Sequence, residues 1–273
     1  MIIGKYNFDT DNKVYVMGIL NVTPDSFSDG SKFNNIDSAL KQTEKMVSEG
    51  AAIIDVGGES TRPGYTMISC EEEIERVCPV IERIVREFDV PVSIDTYKAD
   101  VAKAAVESGA ALINDIHGLK YDKNMAKVAA DTDVAVCLMH NRKEAFDVNL
   151  PKDIYIEQVL ADLRESIDIA HSAGIADDKI IVDPGVGFVK SLEQNLIITN
   201  NVDRLKELGY PVLLATSRKS MIGLTLDLPV DQREEGTIAT SVIGVMKGAS
   251  FVRVHDVEKN IRAINMTKAI IES

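Results

Sequence analysis

Short apolar runs, each followed by a stretch with helical periodicity, constrain this chain more than any other feature. The runs are Tyr15–Leu20, Ala52–Val56, Val92–Ile94, Ala111–Ile113, Val134–Met139, Ile180–Val182, Val212–Ala215 and Phe251–Val254, eight in all. They are rich in Val and Ile and lack strict polar alternation, as parallel strands covered on both faces do. After Ser69, apolar residues at Ile74, Val77, Cys78, Ile81, Ile84, Val85 and Phe88 form one helical face. Ser69 and Glu72 have capping-box spacing, and Pro79 is expected to kink this helix or start a new turn. Gly50 and Gly109 follow the first and third helices, where left-handed caps belong. A longer helix is predicted within Pro151–Ala173, with Gly174 behind it, and two more over Asp231–Lys247 and Asp256–Ile271.

The number of βα units in 273 residues, with no low-complexity linker, favours one α/β domain over residues 1–273, a TIM (β/α)8 barrel. An open doubly wound sheet would need fewer strands or a GxGxxG after the first strand, and none is present. The net charge of −13 and pI of about 4.8 argue against nucleic acid and anionic membranes as partners. The three cysteines, Cys70, Cys78 and Cys137, form no CxxC pair and fit reduced thiols in a cytoplasmic protein. No signal peptide or membrane-spanning run is evident.

The residues that close the runs carry the functional signal. They are Asn21, Asp55, Asp95, Asn114, His140, Asp183, Thr216–Ser217, and Arg253 with His255. In barrels the C-terminal ends of the strands carry the active site. Any one of these could merely cap a loop, but their coincidence on every strand is hard to explain by capping. Asp55 keeps a structural reading, as a brace for the turn at Gly57 and Gly58. Period-two alternation turns Arg253 and His255 into the barrel together, with Val252 and Val254 outward, and likewise pairs Ser93 with Asp95 and Ile181 with Asp183. Three polar loops stand out, Asn21–Gly30, Gly57–Gly64 and Thr216–Ser220. Arg218 reads as a structural ion pair. Arg62, Lys219, Arg253 and His255 suit a phosphate-bearing ligand. Asp95, Asn114 and Asp183 suit a heterocycle with several N–H groups.

The blocks GILNVTPDSFSDG (Gly18–Gly30), DVGGESTRPG (Asp55–Gly64), SIDT (Ser93–Thr96), IND (Ile113–Asp115), DPGVGF (Asp183–Phe188), TSRKS (Thr216–Ser220) and RVHD (Arg253–Asp256) occur in one order along the chain. In this the chain resembles the dihydropteroate synthase family, from about Val16 to its C-terminus. The resemblance implies a transferase of folate biosynthesis. It would join 4-aminobenzoate to 6-hydroxymethyl-7,8-dihydropterin diphosphate, releasing diphosphate. It implies that Asp95, Asn114, Asp183 and Lys219 bind the pterin, with Arg253 over its face and Ile116 and Met139 packed nearby. Asn21, Thr61, Arg62, Arg253 and His255 would meet the diphosphate, with an Mg²⁺ that Asn21 helps to hold. Phe27, Pro63, Phe188 and Ser220 would receive aminobenzoate. Catalytic weight would fall on Arg62, Asp95, Lys219, Arg253 and His255. A homodimer and competition by sulfonamides are further implications.

The stretch His140–Pro151 is idiosyncratic, so His140 reads as structural. Three other readings compete. A pterin-dependent methyltransferase would not need the diphosphate-binding motifs. A non-catalytic pterin-binding paralogue would have lost Asn21, Arg62 or Lys219. A Schiff-base aldolase needs a buried lysine of lowered pKa, whereas Lys219 lies in a polar loop.

Overall fold

The computed structural model describes residues 1–23, 32–60 and 66–273. Every predicted run contributes a strand to one parallel sheet: β1 (Tyr15–Asn21), β2 (Ile53–Gly57), β3 (Val92–Asp95), β4 (Leu112–Asp115), β5 (Ala135–Met139), β6 (Ile180–Asp183), β7 (Leu213–Leu214) and β8 (Phe251–Val254). Strands β1 to β6 pair in chain order, and β8 pairs with both β1 and β7. A single parallel bridge, Val182 to Val212, joins β6 to β7 and closes the ring. This seam is the thinnest, because β7 is shorter than the run Val212–Ala215 suggests. Pro211 has no N–H with which to extend it, although its carbonyl accepts from Val182 N at 3.0 Å.

The helices α1 (Lys32–Ser48), α2 (Cys70–Glu87), α3 (Ala99–Glu107), α4 (Met125–Thr132), α5 (Lys152–Ala173), α6 (Leu192–Asn200), α7 (Glu234–Met246) and α8 (Val257–Ile271) surround the sheet. Their inner faces pack on Ile54, Val56, Ile94, Val136, Val182, Val252 and Val254, the outward residues of the strands. Gly50, Gly109 and Gly174 end α1, α3 and α5 at φ of +102°, +110° and +94°, conformations that favour glycine.

Three local expectations change. Helix α2 is continuous through Pro79, and no new element starts there. Buried Val77, Val80, Ile81 and Ile84 flank the proline; together they gain more than the roughly 3 kcal/mol that an interior proline costs. Ser69 accepts from Glu72 N at 3.2 Å, but the Glu72 carboxylate turns to Arg76, so half of the capping box forms. The complete box is at α6, between Ser191 and Gln194, which the sequence reading did not single out. Helix α7 begins later than Asp231, after a separate short helix at Ser220–Leu226.

The N-terminal residues form a hairpin, Ile2–Ile3 with Tyr6–Asn7. It plugs the barrel end where the strands begin. Buried Ile3 and Phe8 join Met17, Ile53, Leu112, Ile181 and Phe251 in the barrel's inner core. Phe8 meets the Tyr15 ring edge-on at 4.8 Å, and Tyr15 stacks on Phe251 at 5.8 Å. Removing the Phe8 ring leaves a cavity on the face opposite the strand ends. Phe8→Ala should therefore lower stability by about 3 kcal/mol in urea unfolding, while steady-state turnover stays within twofold of the parent.

Candidate active site

Inside the barrel, residues two apart on one strand stack toward the strand's C-terminal end. Four lumen lines run from apolar to polar: Phe251 to Arg253, Ile53 to Asp55, Leu112 to Asn114 and Ile181 to Asp183. The apolar members belong to the inner core. The polar members stand above it. A cavity of about 610 Å³ opens over them, lined among others by Asn21, Asp95, Asn114, Asp183, Lys219 and Arg253. The alternation expected for Arg253, Asp95 and Asp183 is thus present, with Val252 and Val254 in the outer core.

Arg253 is clamped across the lumen. Its Nε donates to Asp55 Oδ2 at 2.5 Å and its Nη2 to Asp95 Oδ2 at 2.6 Å. Burial works against the charge of Arg253, but the Asp55 and Asp95 carboxylates outweigh it and raise its pKa. Burial is the main cause that lifts the Asp95 pKa to about 7; the Arg253 charge opposes it, and Asp55 adds to it. Asp95 Oδ1 is buried with no partner among the described residues. It is a buried acceptor left without a donor among them.

The structure corrects the reading of Asp55. It does not close β2 or brace a turn; it is the third of five residues, fully buried, and two positions short of Gly57. Besides Arg253 it accepts from Asn114 Nδ2 at 3.3 Å. Asp55, Asn114, Asp95 and Arg253 therefore form one connected polar floor. The period-two rule applied to Ile53 would have found it.

Asp183 ends β6 and receives Gly185 N on Oδ1 at 2.6 Å. Burial raises its pKa, opposed by Lys219 and by that N–H. Lys219 is less exposed than its place in a polar loop suggests. It is half-buried rather than solvent-facing, its Nζ donates to the Val186 carbonyl, and it lies 4.9 Å from the centre of the Phe188 ring. Burial lowers its pKa to about 8, while Asp183 and Asp95 hold the proton on. A desolvated lysine is therefore present. Its Nζ is engaged by the Val186 carbonyl, and the carboxylates of Asp183 and Asp95 oppose part of the downward shift.

The TSRKS turn is held from outside the barrel. Arg218 has φ of +57°; its N–H reaches Thr237 Oγ1 at 3.1 Å and its carbonyl accepts from Arg233 at 3.1 Å. Arg218 also faces Glu234 at 3.8 Å, consistent with a structural ion pair. Ser220 opens the short helix after this turn and is exposed. His255 is oriented by Ser217, whose Oγ lies 2.9 Å from Nδ1. Ile116, Met139 and Tyr97 form an apolar wall with Phe188 packed on it. His140 turns away to Asp162 at 3.0 Å, and burial lowers its pKa to about 4, so it is neutral and structural.

Thr61, Arg62, Pro63 and Phe27 lie outside the described residues. Where the chain leaves and rejoins that second loop, Glu59 accepts from Ile68 N at 2.8 Å and from Lys98 Nζ at 2.8 Å, and Lys98 also reaches Glu73 at 2.7 Å. Glu59 lies in the DVGGESTRPG block, but no local signal pairs it with Lys98 and Glu73. Among the described residues no group of three or more His, Cys, Asp or Glu could hold a metal. Asn21 offers one amide oxygen at the end of β1. A Cβ at Gly57 would stand 3.8 Å from both Asn21 Oδ1 and Asp95 Oδ2, so the glycine leaves a gap between them. One hard oxygen beside open space fits an ion carried in by a polyphosphate, since magnesium keeps several waters and shares substrate oxygens.

The chain is similar to known proteins throughout. Residues 17–255 match the family of pterin binding enzymes. A dihydropteroate synthase of Clostridium beijerinckii is 61% identical over 272 residues, covering 99% of each chain. The crystal structure of a Clostridium difficile dihydropteroate synthase in the presence of pteroic acid is 49% identical. It superposes with a TM-score of 0.93 over 98% of this chain and 100% of that one. A Yersinia pestis dihydropteroate synthase in complex with a sulfonamide drug is 39% identical, with a TM-score of 0.92 over 100% of this chain and 99% of that one. With the barrel, the polar floor and the ordered motifs, these similarities show that the chain belongs to the dihydropteroate synthase family of pterin binding enzymes.

Proposed function

We propose that this enzyme joins 4-aminobenzoate to 6-hydroxymethyl-7,8-dihydropterin diphosphate, giving 7,8-dihydropteroate and diphosphate. The observation that carries the reading is the polar floor. Two carboxylates and an amide line the cavity beside one permanently charged arginine, above an apolar base that excludes water.

Asp183, Asn114 and Asp95 accept from the N–H groups of the pterin edge, as carboxylates can for parallel donors. Lys219 donates to a ring heteroatom, and Arg253 covers the ring face between its two aspartates. Ile116 and Met139 pack the ring. Asn21, Thr61, Arg62, Arg253 and His255 meet the diphosphate, Asn21 holding a magnesium ion that neutralises phosphate charge when bound. The C–O bond to diphosphate ionises early, because the exocyclic cation is delocalised into the dihydropterin. Arg62, Arg253 and His255 stabilise the departing anion. Asp95 stabilises the cation electrostatically rather than acting as a base, since an aniline nitrogen is already unprotonated near neutral pH. Phe188, Pro63, Phe27 and Ser220 position the amine for attack.

Among the described residues no helix is long and apolar enough to cross a membrane, in keeping with a cytoplasmic enzyme. Exposed Leu224, Ile243, Met246, Met266 and Ile270 lie on the Ser220–Leu226 helix and on α7 and α8, where α7 packs against α8. Such a patch supports a homodimer through these helices.

The direct test is diphosphate release. It should require both 4-aminobenzoate and the pterin diphosphate, fall at least tenfold when EDTA removes magnesium, and be inhibited competitively by a sulfonamide. Methyl transfer from methyltetrahydrofolate, with no diphosphate released from the pterin diphosphate, would sink the reading. Asp183→Asn should weaken pterin binding by tenfold or more in calorimetry, and unchanged affinity would remove Asp183 from the pocket. The pH dependence has a definite sign. Asp95 takes up a proton as pH falls through about 7, and Lys219 loses one as pH rises through about 8. The kcat/KM for the pterin substrate should decline on both sides of that interval, and Asp95→Asn should erase the acid limb while keeping the alkaline one.

A further inference from the structure

Lys190 has no part in the chemistry above, yet its placement is unusual for a lysine. Its ammonium is enclosed by main-chain carbonyls, donating to Gly185 O at 2.8 Å, Phe188 O at 3.1 Å and, more weakly, His140 O at 3.4 Å. No carboxylate lies within ion-pair distance of it among the described residues. Burial lowers its pKa to about 7, with the more distant Asp183 and Asp162 opposing that. Enclosing a charge without a counter-ion is costly, and the structure tolerates that cost at one loop.

The loop needs holding. Gly185, Gly187 and Val189 have φ of +67°, +87° and +47°. The left-handed region is unfavourable for a β-branched residue such as Val189, so its conformation persists only where neighbours impose it. A Cβ on Gly185 would stand 1.9 Å from His140 O, so this loop and the end of β5 are in direct main-chain contact. Three of the loop's carbonyls are capped by lysines: Val186 by Lys219, and Gly185 and Phe188 by Lys190. Asn195 holds the same segment from α6, through Gly187 N at 2.6 Å and the Lys190 carbonyl at 3.2 Å. Asp183 is placed mainly by its own strand, because its backbone is paired in β6, with Gly185 N adding one bond to its carboxylate. Phe188 depends on this support. Its ring packs with Tyr97, Ile116 and Met139, and Met139 precedes His140, whose carbonyl Lys190 also reaches.

We propose that Lys190 is a positioning residue for the aminobenzoate site. By gathering the carbonyls of Gly185, Phe188 and His140 onto one ammonium, it sets the distance between the Phe188 ring and the Met139 wall. The aromatic amine must enter beside that ring. The inference rests on the reading that aminobenzoate packs against Phe188.

Lys190→Met, Phe188→Ala and the double variant separate the possibilities, with Lys190→Gln carrying the same readouts if the methionine variant does not fold. The expected result for Lys190→Met is at least a tenfold rise in KM for 4-aminobenzoate, with kcat within threefold. Calorimetric affinity for 6-hydroxymethyl-7,8-dihydropterin diphosphate should also stay within threefold. In the Phe188→Ala background the lysine change should add less than twofold, because its effect passes through that ring. An unchanged KM, a pterin affinity that falls in parallel with the aminobenzoate KM, or additive effects would overturn the proposal. A Phe188→Ala enzyme with normal KM would remove the aminobenzoate slot itself, and the proposal with it.

Discussion

The site depends on one buried ionic arrangement, Arg253 held between Asp55 and Asp95 across the lumen. Each partner is made tolerable by the others. The arginine cannot shed its proton, so two carboxylates must stand beside it, and Asn114 on β4 completes the set by donating to Asp55 on β2. Removing one partner of such a buried pair typically costs about 3–5 kcal/mol, because an uncompensated charge is left behind. The same arrangement prepares the chemistry. A guanidinium fixed at both ends presents a face rather than a mobile tip, and Asp95 keeps an oxygen that nothing in the described chain occupies.

Around this floor, the rim loops are held by bonds to main chain. The TSRKS turn is gripped at Arg218 by Thr237 and Arg233, and the loop after β6 is capped by Lys219 and Lys190. Backbone anchoring lets left-handed residues such as Arg218 and Val189 hold conformations that they would not hold alone. It also ties the helices to the cavity, since Thr237 lies in α7 and Asn195 in α6. The apolar plug of Phe8, Tyr15 and Phe251 closes the other end. Among the described residues this apolar layer lies between the polar floor and the end where the strands begin.

Much of the fold was legible in the chain. The parallel-strand runs, the capping glycines and the lumen alternation at Arg253 and Asp183 follow from local rules. The positions that local rules left unsettled share a cause. Pro79 is locally a helix breaker, but the burial on either side of it is tertiary. Asp55 is locally a residue before two glycines, and only its partner 198 positions away makes it the centre of the floor. Lys219 and Lys190 are locally loop lysines; their burial depends on Val186, Gly185 and Phe188 folding over them.

The sequence by itself determined which strand carries each polar group and which way that group faces, because period-two alternation is a property of a single strand. It also determined the family, through motifs that do not occur by chance in that order. The tertiary structure alone decided which of those groups pair, which oxygen of Asp95 stays open, and which lysines lose their water. These are set by distances between strands that the chain joins only when the barrel closes, and no local pattern encodes a through-space Coulomb partner or the desolvation it must offset.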